Sequence, residues 1–145
     1  MPKRKEFRFI GNVSTKTIQG YKQLAKTGKL VVITKSMKDV MCLYSLGIPA
    51  IAPNSETQFV SDKVLEELKL RFKYIVLLYD NDLTGVRFTN KIRKQHPELI
   101  VSMIPRNTGA KDISDYYRDY GRKATQELIK LTIDKFKRNG ILRSN

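Results

Sequence analysis

The sequence lacks the features of several common protein classes. It contains a single cysteine, Cys42, and a single histidine, His96, which excludes an internal disulfide and a structural zinc site. No segment approaches the roughly 18 consecutive apolar residues that a transmembrane helix requires. The first residues, MPKRKEFRF, lack the apolar core of a secretory signal. These absences predict a protein of the reducing cytoplasm that has no membrane partner.

Acidic residues are also scarce. The chain has 28 basic and 14 acidic residues, and its net charge is +14. The excess lies at the ends, because residues 1–30 carry +7 and residues 121–145 carry +5, while the segments 31–79 and 80–120 carry +1 each. Basic ends on a nearly neutral body suit a polyphosphate partner such as nucleic acid, since each neutralised phosphate releases counterions. A solvated surface is the alternative that charge alone leaves open.

The sequence does contain short apolar runs that alternate with helical patterns. A short strand is predicted at Glu6–Ile10, and four buried strands are predicted at Leu30–Thr34, Ile48–Ala52, Tyr74–Tyr79 and Leu99–Ile104. Helical patterns begin at Ser36, at Ser55 or Thr57, at Thr84, at Asp112 and at Arg122. This alternation predicts an α/β fold with a four-stranded parallel sheet flanked by helices. We divide the chain into a basic N-terminal extension (1–29), an α/β domain (30–120) and a basic C-terminal helix and tail (121–145).

Carboxylates collect where the predicted strands end. Asp80 and Asp82 follow the central strand in LLYDNDLTG, and alternate residues of an extended segment point the same way. Converging carboxylates suit Mg²⁺ or Mn²⁺ bridging to substrate phosphates. Asp112 and Asp115 lie three residues apart in AKDISDYY and can share a helix face. For each pair, helix capping is the alternative. Asp39, in KSMKDV, is most simply a first-turn helix carboxylate.

Taken together, these segments resemble the Toprim domain, specifically that of phage and DnaG-like primases. LVVITKSMKDVMCLYSLGIPAIAP matches the first strand, helix and second strand of the family. IVLLYDNDLTGVRFTNKI matches its D-x-D strand and following helix, and KDISDYY matches the acidic segment of the primases. The resemblance covers about residues 30–120 and implies a Rossmann-like fold with metal-dependent phosphodiester chemistry. It implies a catalytic role for Asp80 and Asp82, and Mg²⁺ or Mn²⁺ binding by Asp80, Asp82, Asp112 and Asp115.

One residue differs from the family pattern. The family normally carries Glu in T-E-S-x-K-D at the end of the first strand, where this chain has Lys35 in TKSMKD. The formal charge of this position with Asp80 and Asp82 changes from −3 to −1, which predicts that the metal binds weakly. As a member of the catalytic group, Lys35 either takes the place of the metal by pairing with Asp80 or holds a substrate phosphate. Glu56 is a conceivable substitute ligand.

Basic residues around these segments are candidates for contact with a nucleic-acid backbone. One set recurs at i, i+4 and i+7 on the third helix, another lies on the last helix, and two lysines adjoin the acidic segments. The candidates are Lys38, Arg87, Lys91, Lys94, Lys111, Lys130 and Lys137. Solvated helix faces are the alternative.

The sequence thus predicts a primase-like Toprim domain that acts in DNA replication in a bacterial or phage-infected cytoplasm. It would bind single-stranded DNA or RNA, nucleoside triphosphates and Mg²⁺, and it would transfer nucleotides if it is active. No phosphate loop G-x-x-x-x-G-K-[ST] and no cysteine-rich module occur, so a helicase or a zinc-module primase is the expected partner. The alternatives are a catalytically disarmed nucleic-acid-binding adaptor of a replication complex and a Toprim-type nuclease.

Overall fold

The centre of the molecule is a four-stranded parallel sheet. The computed structural model describes residues 18–53 and 59–144. The strands are β1 (Gly28–Thr34), β2 (Ala50–Ile51), β3 (Phe72–Leu78) and β4 (Ile100–Val101), in the spatial order β2-β1-β3-β4. This confirms the predicted sheet, although the two outer strands are shorter than predicted. The strand predicted at Glu6–Ile10 and the residue Glu56 lie outside the described residues.

The strand order reverses direction in the middle of the sheet. The chain runs outward from β1 to β2, and it then returns to β3 and continues outward to β4. β1 and β3 pair along their whole length, from Gly28 opposite Phe72 to Thr34 opposite Leu78. In open parallel sheets, ligands bind at the carboxyl ends of the strands beside such a reversal. The fold therefore indicates that a ligand site is formed by the residues that follow Thr34 and Leu78.

Four helices flank the sheet: α1 (Met37–Ser45), α2 (Asp62–Arg71), α3 (Leu83–Gln95) and α4 (Ile113–Ser144). Ser36 caps α1 as predicted, since its Oγ accepts from the Asp39 N–H at 3.3 Å. α2 begins later than predicted because Ser61 caps it by accepting from the Val64 N–H. The residues expected to begin this helix, Ser55 and Thr57, are not among those described.

Both faces of the sheet are buried, as the unbroken apolar character of the central strand predicts. Alternate residues of a strand point to opposite faces, so Val31 and Val32 belong to different clusters. One face packs against α2 and α3 through Val64, Leu65, Leu68 and Ile92. The other face packs against α1 and α4 through Val40, Leu43, Ile113, Ile129 and Ile133.

Residues on either side of segment 30–120 also contribute to this packing. Ile18 and Leu24 are buried in the first cluster, and Gln19 pairs with Ala52 in an antiparallel bridge. α4 loses helical geometry at Gly121 (φ 89°, ψ 179°), where the sequence predicts a separation between two helices. Within the described residues, no helix combines the length and the apolar character needed to cross a membrane.

Candidate functional site

Three carboxylates converge at the carboxyl edge of the sheet. Asp39 lies in the first turn of α1, Asp80 follows β3, and Asp112 immediately precedes α4. One carboxylate oxygen of each lies within 4.8 Å of the others. Asp39 and Asp80 are buried, and Asp112 is partly buried. We call these three residues the acidic group. It lies where the strand order reverses, because Asp39 follows β1 and Asp80 follows β3.

Asp39 is held in this group by the start of α4. Its Oδ1 accepts from the Ser114 hydroxyl at 2.6 Å and from the Ser114 N–H at 3.3 Å. Burial raises the pKa of Asp39, and the charges of Asp112 and Asp80 raise it further, while the bonds from Ser114 act in the opposite direction. The sequence predicts Asp39 as a carboxylate in the first turn of a helix and gives no sign that it belongs with the metal ligands.

Lysines accompany the other two carboxylates. Lys35 Nζ lies 2.8 Å from Asp80 Oδ2, and the Asp80 side chain is only 5% exposed. Strand register explains this contact, because Thr34 is opposite Leu78. Lys35 is the first residue after Thr34, and Asp80 is the second residue after Leu78. Lys38 Nζ lies 3.4 Å from Asp112 Oδ2, and the Asp112 carboxylate raises the pKa of Lys38. Two of the three negative charges thus have an ammonium beside them.

Asp82 lies outside the acidic group. β3 ends at Leu78, so residues 80 and 82 do not alternate along an extended strand. Asp82 instead caps α3, since its Oδ1 accepts from the Gly85 N–H at 2.8 Å. This hydrogen bond lowers the pKa of Asp82, and Lys111, whose Nζ lies 3.6 Å from Oδ2, lowers it further. Helix capping, the alternative to metal binding for Asp80 and Asp82, is therefore the role of Asp82 in the structure.

Asp115 also points away from the acidic group. Its Oδ2 accepts from the Lys111 N–H at 3.3 Å, and its Oδ1 lies 3.3 Å from Arg118 Nη1. Asp112 caps α4 through Oδ1, which accepts from the Asp115 N–H at 2.9 Å, while its Oδ2 is the oxygen that lies near Lys38. Of the four predicted metal ligands, the structure therefore brings Asp80 and Asp112 together and places Asp82 and Asp115 elsewhere.

Gly85 allows α3 to approach the end of β3 closely. A Cβ atom at this position would overlap the backbone carbonyl of Asp80. Gly85 is buried in the first turn of the helix, where its N–H donates to Asp82. The absence of a side chain at Gly85, the last residue of D-N-D-L-T-G, therefore helps to position Asp80.

The predicted nucleic-acid residues do not form a single surface. Lys38 lies beside Asp112 of the acidic group, and Lys111 lies beside Asp82, which caps α3. The α3 set and one lysine of α4 are exposed: Arg87, Lys91, Lys94 and Lys130. Lys137 lies apart from the site, with its Nζ 5.6 Å from the centre of the Tyr74 ring near the amino end of β3. The structure thus places some of these residues near the acidic group and Lys137 at the opposite edge of the sheet.

Comparison with known families identifies the domain. The sequence model of a family described as Toprim-like matches residues 32–117. The chain belongs to this family. The matched range contains Lys35 and the complete acidic group of the Toprim-like domain. A search of curated proteins gave no significant match.

Primase structures share the fold of this Toprim-like chain. The DnaG primase catalytic domain bound to single-stranded DNA has a TM-score of 0.64 at 17% identity, covering 81% of this chain and 40% of that one. The primase fragment of the bacteriophage T7 primase-helicase gives 0.58 at 18%, covering 78% and 46%. The RNA polymerase domain of Mycobacterium tuberculosis DnaG gives 0.57 at 16%, covering 83% and 37%. The chain therefore spans less than half the length of these three structures.

The acidic group matches Mg²⁺ in the type of its donors. Toprim domains generally bind this ion, and carboxylate oxygens are the ligands that Mg²⁺ prefers. The three oxygens are close enough to one another to share an ion. The ammonium groups of Lys35 and Lys38 oppose the binding of Mg²⁺, however, because they offset two of the three negative charges of the acidic group. The donors fit the ion, and the surrounding charge weakens the fit.

Proposed function

We propose that this Toprim-like chain is a phosphate-binding domain of a primase-type replication protein, which binds single-stranded nucleic acid and holds Mg²⁺ weakly. The observation that supports the proposal is the convergence of Asp39, Asp80 and Asp112 at the reversal of strand order, with basic side chains on the adjoining surface. An acidic group next to cations is the arrangement expected where phosphates are held together with a metal.

Asp39, Asp80 and Asp112 are the residues that would hold Mg²⁺ in this proposal. The bound ion would stabilise negative charge on phosphate oxygens. Lys38 and Lys111 lie at the margin of the acidic group, where their ammonium groups can bind phosphate oxygens directly. Ser114 keeps the Asp39 carboxylate turned toward the group through two hydrogen bonds.

The surface of α3 supplies the contact with the nucleic-acid backbone. Arg87, Lys91 and Lys94 are exposed on this helix, which starts directly after the acidic edge of the sheet. Their charge adds to the overall +14 of the chain. A phosphate backbone that runs along α3 would therefore reach the acidic group at the beginning of the helix.

The partners in this proposal follow from the structural relatives. One of them is described as bound to single-stranded DNA, and another is a fragment of a primase-helicase. We propose that this chain likewise acts in the cytoplasm with nucleoside triphosphates, and that a helicase or a zinc-module primase supplies the parts of the reaction that this domain lacks.

A second function is favoured by the contact of Lys35 with Asp80. An ammonium 2.8 Å from a buried carboxylate opposes the metal on which nucleotide transfer would depend. The same domain would then serve as a nucleic-acid-binding adaptor in a replication complex without catalysing the reaction itself. Primer synthesis from nucleoside triphosphates distinguishes the active domain from the adaptor, and degradation of the template would indicate a nuclease.

The proposal is tested by the binding of a fluorescently labelled single strand at increasing salt concentration. We expect log K to fall linearly with log salt, with a slope of about −0.7 for each phosphate neutralised on a single strand. The double variant Arg87→Glu/Lys91→Glu should bind more weakly and with a shallower slope. Lys63→Glu, an exposed position on α2, is the control. No binding at low salt, or binding that does not depend on salt, would overturn the proposal.

A further inference from the structure

A cleft adjoins the acidic group on the side of β4. It has a volume of about 360 Å³ and is lined by Asn81, Leu83, Arg106, Gly109, Ala110 and Lys111. Small-molecule sites in proteins have volumes of roughly 300–1,000 Å³, so this cleft is at the small end of that range. Asn81 precedes α3, Leu83 begins it, and the other four residues come from the loop between β4 and α4. We call that loop, residues 105–111, the cleft loop.

The cleft loop is anchored to the end of β3 by Asn81. The Asn81 side-chain amide donates to the carbonyl of Ala110 at 2.7 Å and to that of Ile104 at 3.4 Å. The Asn81 backbone N–H donates to the carbonyl of Lys111 at 3.1 Å. A single residue therefore holds both ends of the loop, so the cleft is formed before any ligand enters.

Contacts within the loop fix its turn. The Thr108 hydroxyl donates to the Pro105 carbonyl at 2.6 Å, and the Tyr120 hydroxyl donates to the Thr108 carbonyl at 3.1 Å. Gly109 has a positive φ of 79°, which a residue without a side chain adopts at little cost. The loop thus has a defined conformation that presents Arg106 and Lys111 to the same space.

The charge in the cleft is positive. The Arg106 guanidinium is exposed and has no carboxylate within ion-pair distance in the part of the chain that the structure describes. Lys111 is 59% exposed and lies 3.6 Å from Asp82, a contact that is weak in solvent and leaves the ammonium able to turn toward a ligand. Leu83 contributes an apolar surface that is 61% exposed.

We infer that this cleft binds the phosphate tail of a nucleoside triphosphate, with Arg106 and Lys111 as its anion ligands. The guanidinium of Arg106 can donate two parallel hydrogen bonds to phosphate oxygens, and the ammonium of Lys111 acts as a point charge. Leu83 offers apolar contact to the sugar or the base. The inference rests on the proposed function, because it assigns the nucleotide to one part of the same edge of the sheet.

The size of the cleft favours a single nucleotide over a strand. Sites for single-stranded nucleic acid extend over roughly 4–16 nucleotides along a groove. A cleft of about 360 Å³ lined by six residues has the dimensions of a small-molecule site. The exposed basic face of α3 lies outside this cleft and remains available for a strand.

Titration of the full chain with ATP tests the inference. The buffer contains EDTA, so that binding through Mg²⁺ at the acidic group does not contribute, and adenosine is the matched ligand without phosphates. We expect ATP to bind, adenosine to bind much more weakly, and Arg106→Ala to weaken ATP binding at least ~5-fold. Arg93→Ala removes an exposed arginine of α3 outside the cleft and is the control. The backbone amide resonances of Leu83 and Gly109 should shift with ATP.

Each alternative result has a distinct meaning. Unchanged ATP affinity in Arg106→Ala, or equal affinity for ATP and adenosine, would overturn the assignment of the cleft. Equal losses of ATP and single-strand binding in Arg106→Ala would show that the cleft binds strand phosphates, which also overturns it. If the strand binds and ATP does not, the cleft assignment fails while the proposed function stands. If ATP binds through Arg106 and the strand does not bind, the cleft stands and the strand-binding proposal fails.

Discussion

The ammonium of Lys35 lies 2.8 Å from the Asp80 carboxylate, which is almost completely buried. A buried carboxylate without a partner would cost several kcal/mol, and the contact with the Lys35 ammonium offsets that cost. The same ammonium repels a divalent ion at the acidic group. The contact between these two residues therefore favours the folded structure and opposes the metal that Toprim domains generally bind.

Replacing this lysine should strengthen metal binding. At ~5 Å, with an effective dielectric constant of about 20–80, repulsion between the ammonium and Mg²⁺ costs roughly 2–7 kcal/mol before relaxation, which a flexible side chain reduces. We expect Lys35→Glu to bind Mg²⁺ at least ~10-fold more tightly than the wild type, a difference of about 1.4 kcal/mol. Isothermal titration calorimetry with Mg²⁺ measures both affinities.

The variant Lys35→Met separates two effects in this experiment, because it removes the positive charge without adding a ligand. Its affinity for Mg²⁺ should lie between those of the wild type and Lys35→Glu. Thermal unfolding followed by circular dichroism establishes that each variant is folded. Equal affinities in all three proteins would show that Lys35 does not suppress the metal site.

Asp39 should make stability depend on pH in a recognisable direction. Burial raises its pKa in the folded state above the ordinary value of 3.8. The ionised side chain therefore costs the folded state free energy above the folded pKa, and this cost disappears as the pH falls below the unfolded value. Asp39→Asn lacks the charge, so its stability relative to the wild type should be higher at pH 7.5 than at pH 4.5.

Urea denaturation at the two pH values measures this difference. Asp80 and Asp112 raise the pKa of Asp39, and Lys35 and Lys38 lie beside those two carboxylates. All four residues are present in both proteins that are compared. A relative stability of Asp39→Asn that increases as the pH falls would mean that the pKa of Asp39 is lowered in the folded state.

The sheet could be predicted from sequence because its signal is local. β1 and β3 each contain an unbroken apolar run, Leu30–Ile33 and Tyr74–Leu78, and such runs between helical patterns favour parallel strands covered on both faces. The lengths of β2 and β4 were overestimated, since an apolar run such as Ile48–Ala52 continues beyond the residues that form ladder hydrogen bonds. Apolar character reports burial, and only part of a buried run belongs to a strand.

Which carboxylates belong to the acidic group is harder to predict from the sequence. Asp39 joins the group through Ser114, which is 75 residues away, and a single sequence carries no sign of that contact. The D-x-D spacing predicts that Asp82 lies beside Asp80 on an extended strand, whereas β3 ends at Leu78 and the chain turns into α3. Capping and metal-binding carboxylates use the same residue types, so only the geometry separates them.

Gly85 should tolerate no side chain. A Cβ atom there would overlap the carbonyl oxygen of Asp80, and backbone atoms cannot move aside as a flexible side chain can. We expect Gly85→Ala to lower the free energy of unfolding by at least ~2 kcal/mol, toward the upper part of the range for overpacked sites. The neighbouring exposed residue provides a control, because Thr84→Ala should change the free energy of unfolding by less than ~0.5 kcal/mol. Similar unfolding curves for the two variants would contradict this account.

Cys42 should react slowly in the folded protein. Burial raises the pKa of its thiol to about 11, and the charges of Asp39 and Asp112 contribute in the same direction. The thiolate is the reactive form, so alkylation by iodoacetamide at pH 8 should be at least ~10-fold slower than in the urea-unfolded chain. Mass spectrometry follows the reaction over time. Equal rates in the two states would show that the thiol is accessible and has an ordinary pKa.

The hydrogen bonds from Ser114 to Asp39 have a consequence for biosynthesis. The acidic group draws on residues near positions 39, 80 and 112, and Oδ1 of Asp39 accepts both of its hydrogen bonds from Ser114 at the start of α4. A ribosome releases these segments in order, so Asp39 cannot accept its hydrogen bonds from Ser114 until residue 114 has left the exit tunnel. Completion of the acidic group therefore coincides with the arrival of α4, and a nascent chain that ends before this helix contains the strands without the complete group.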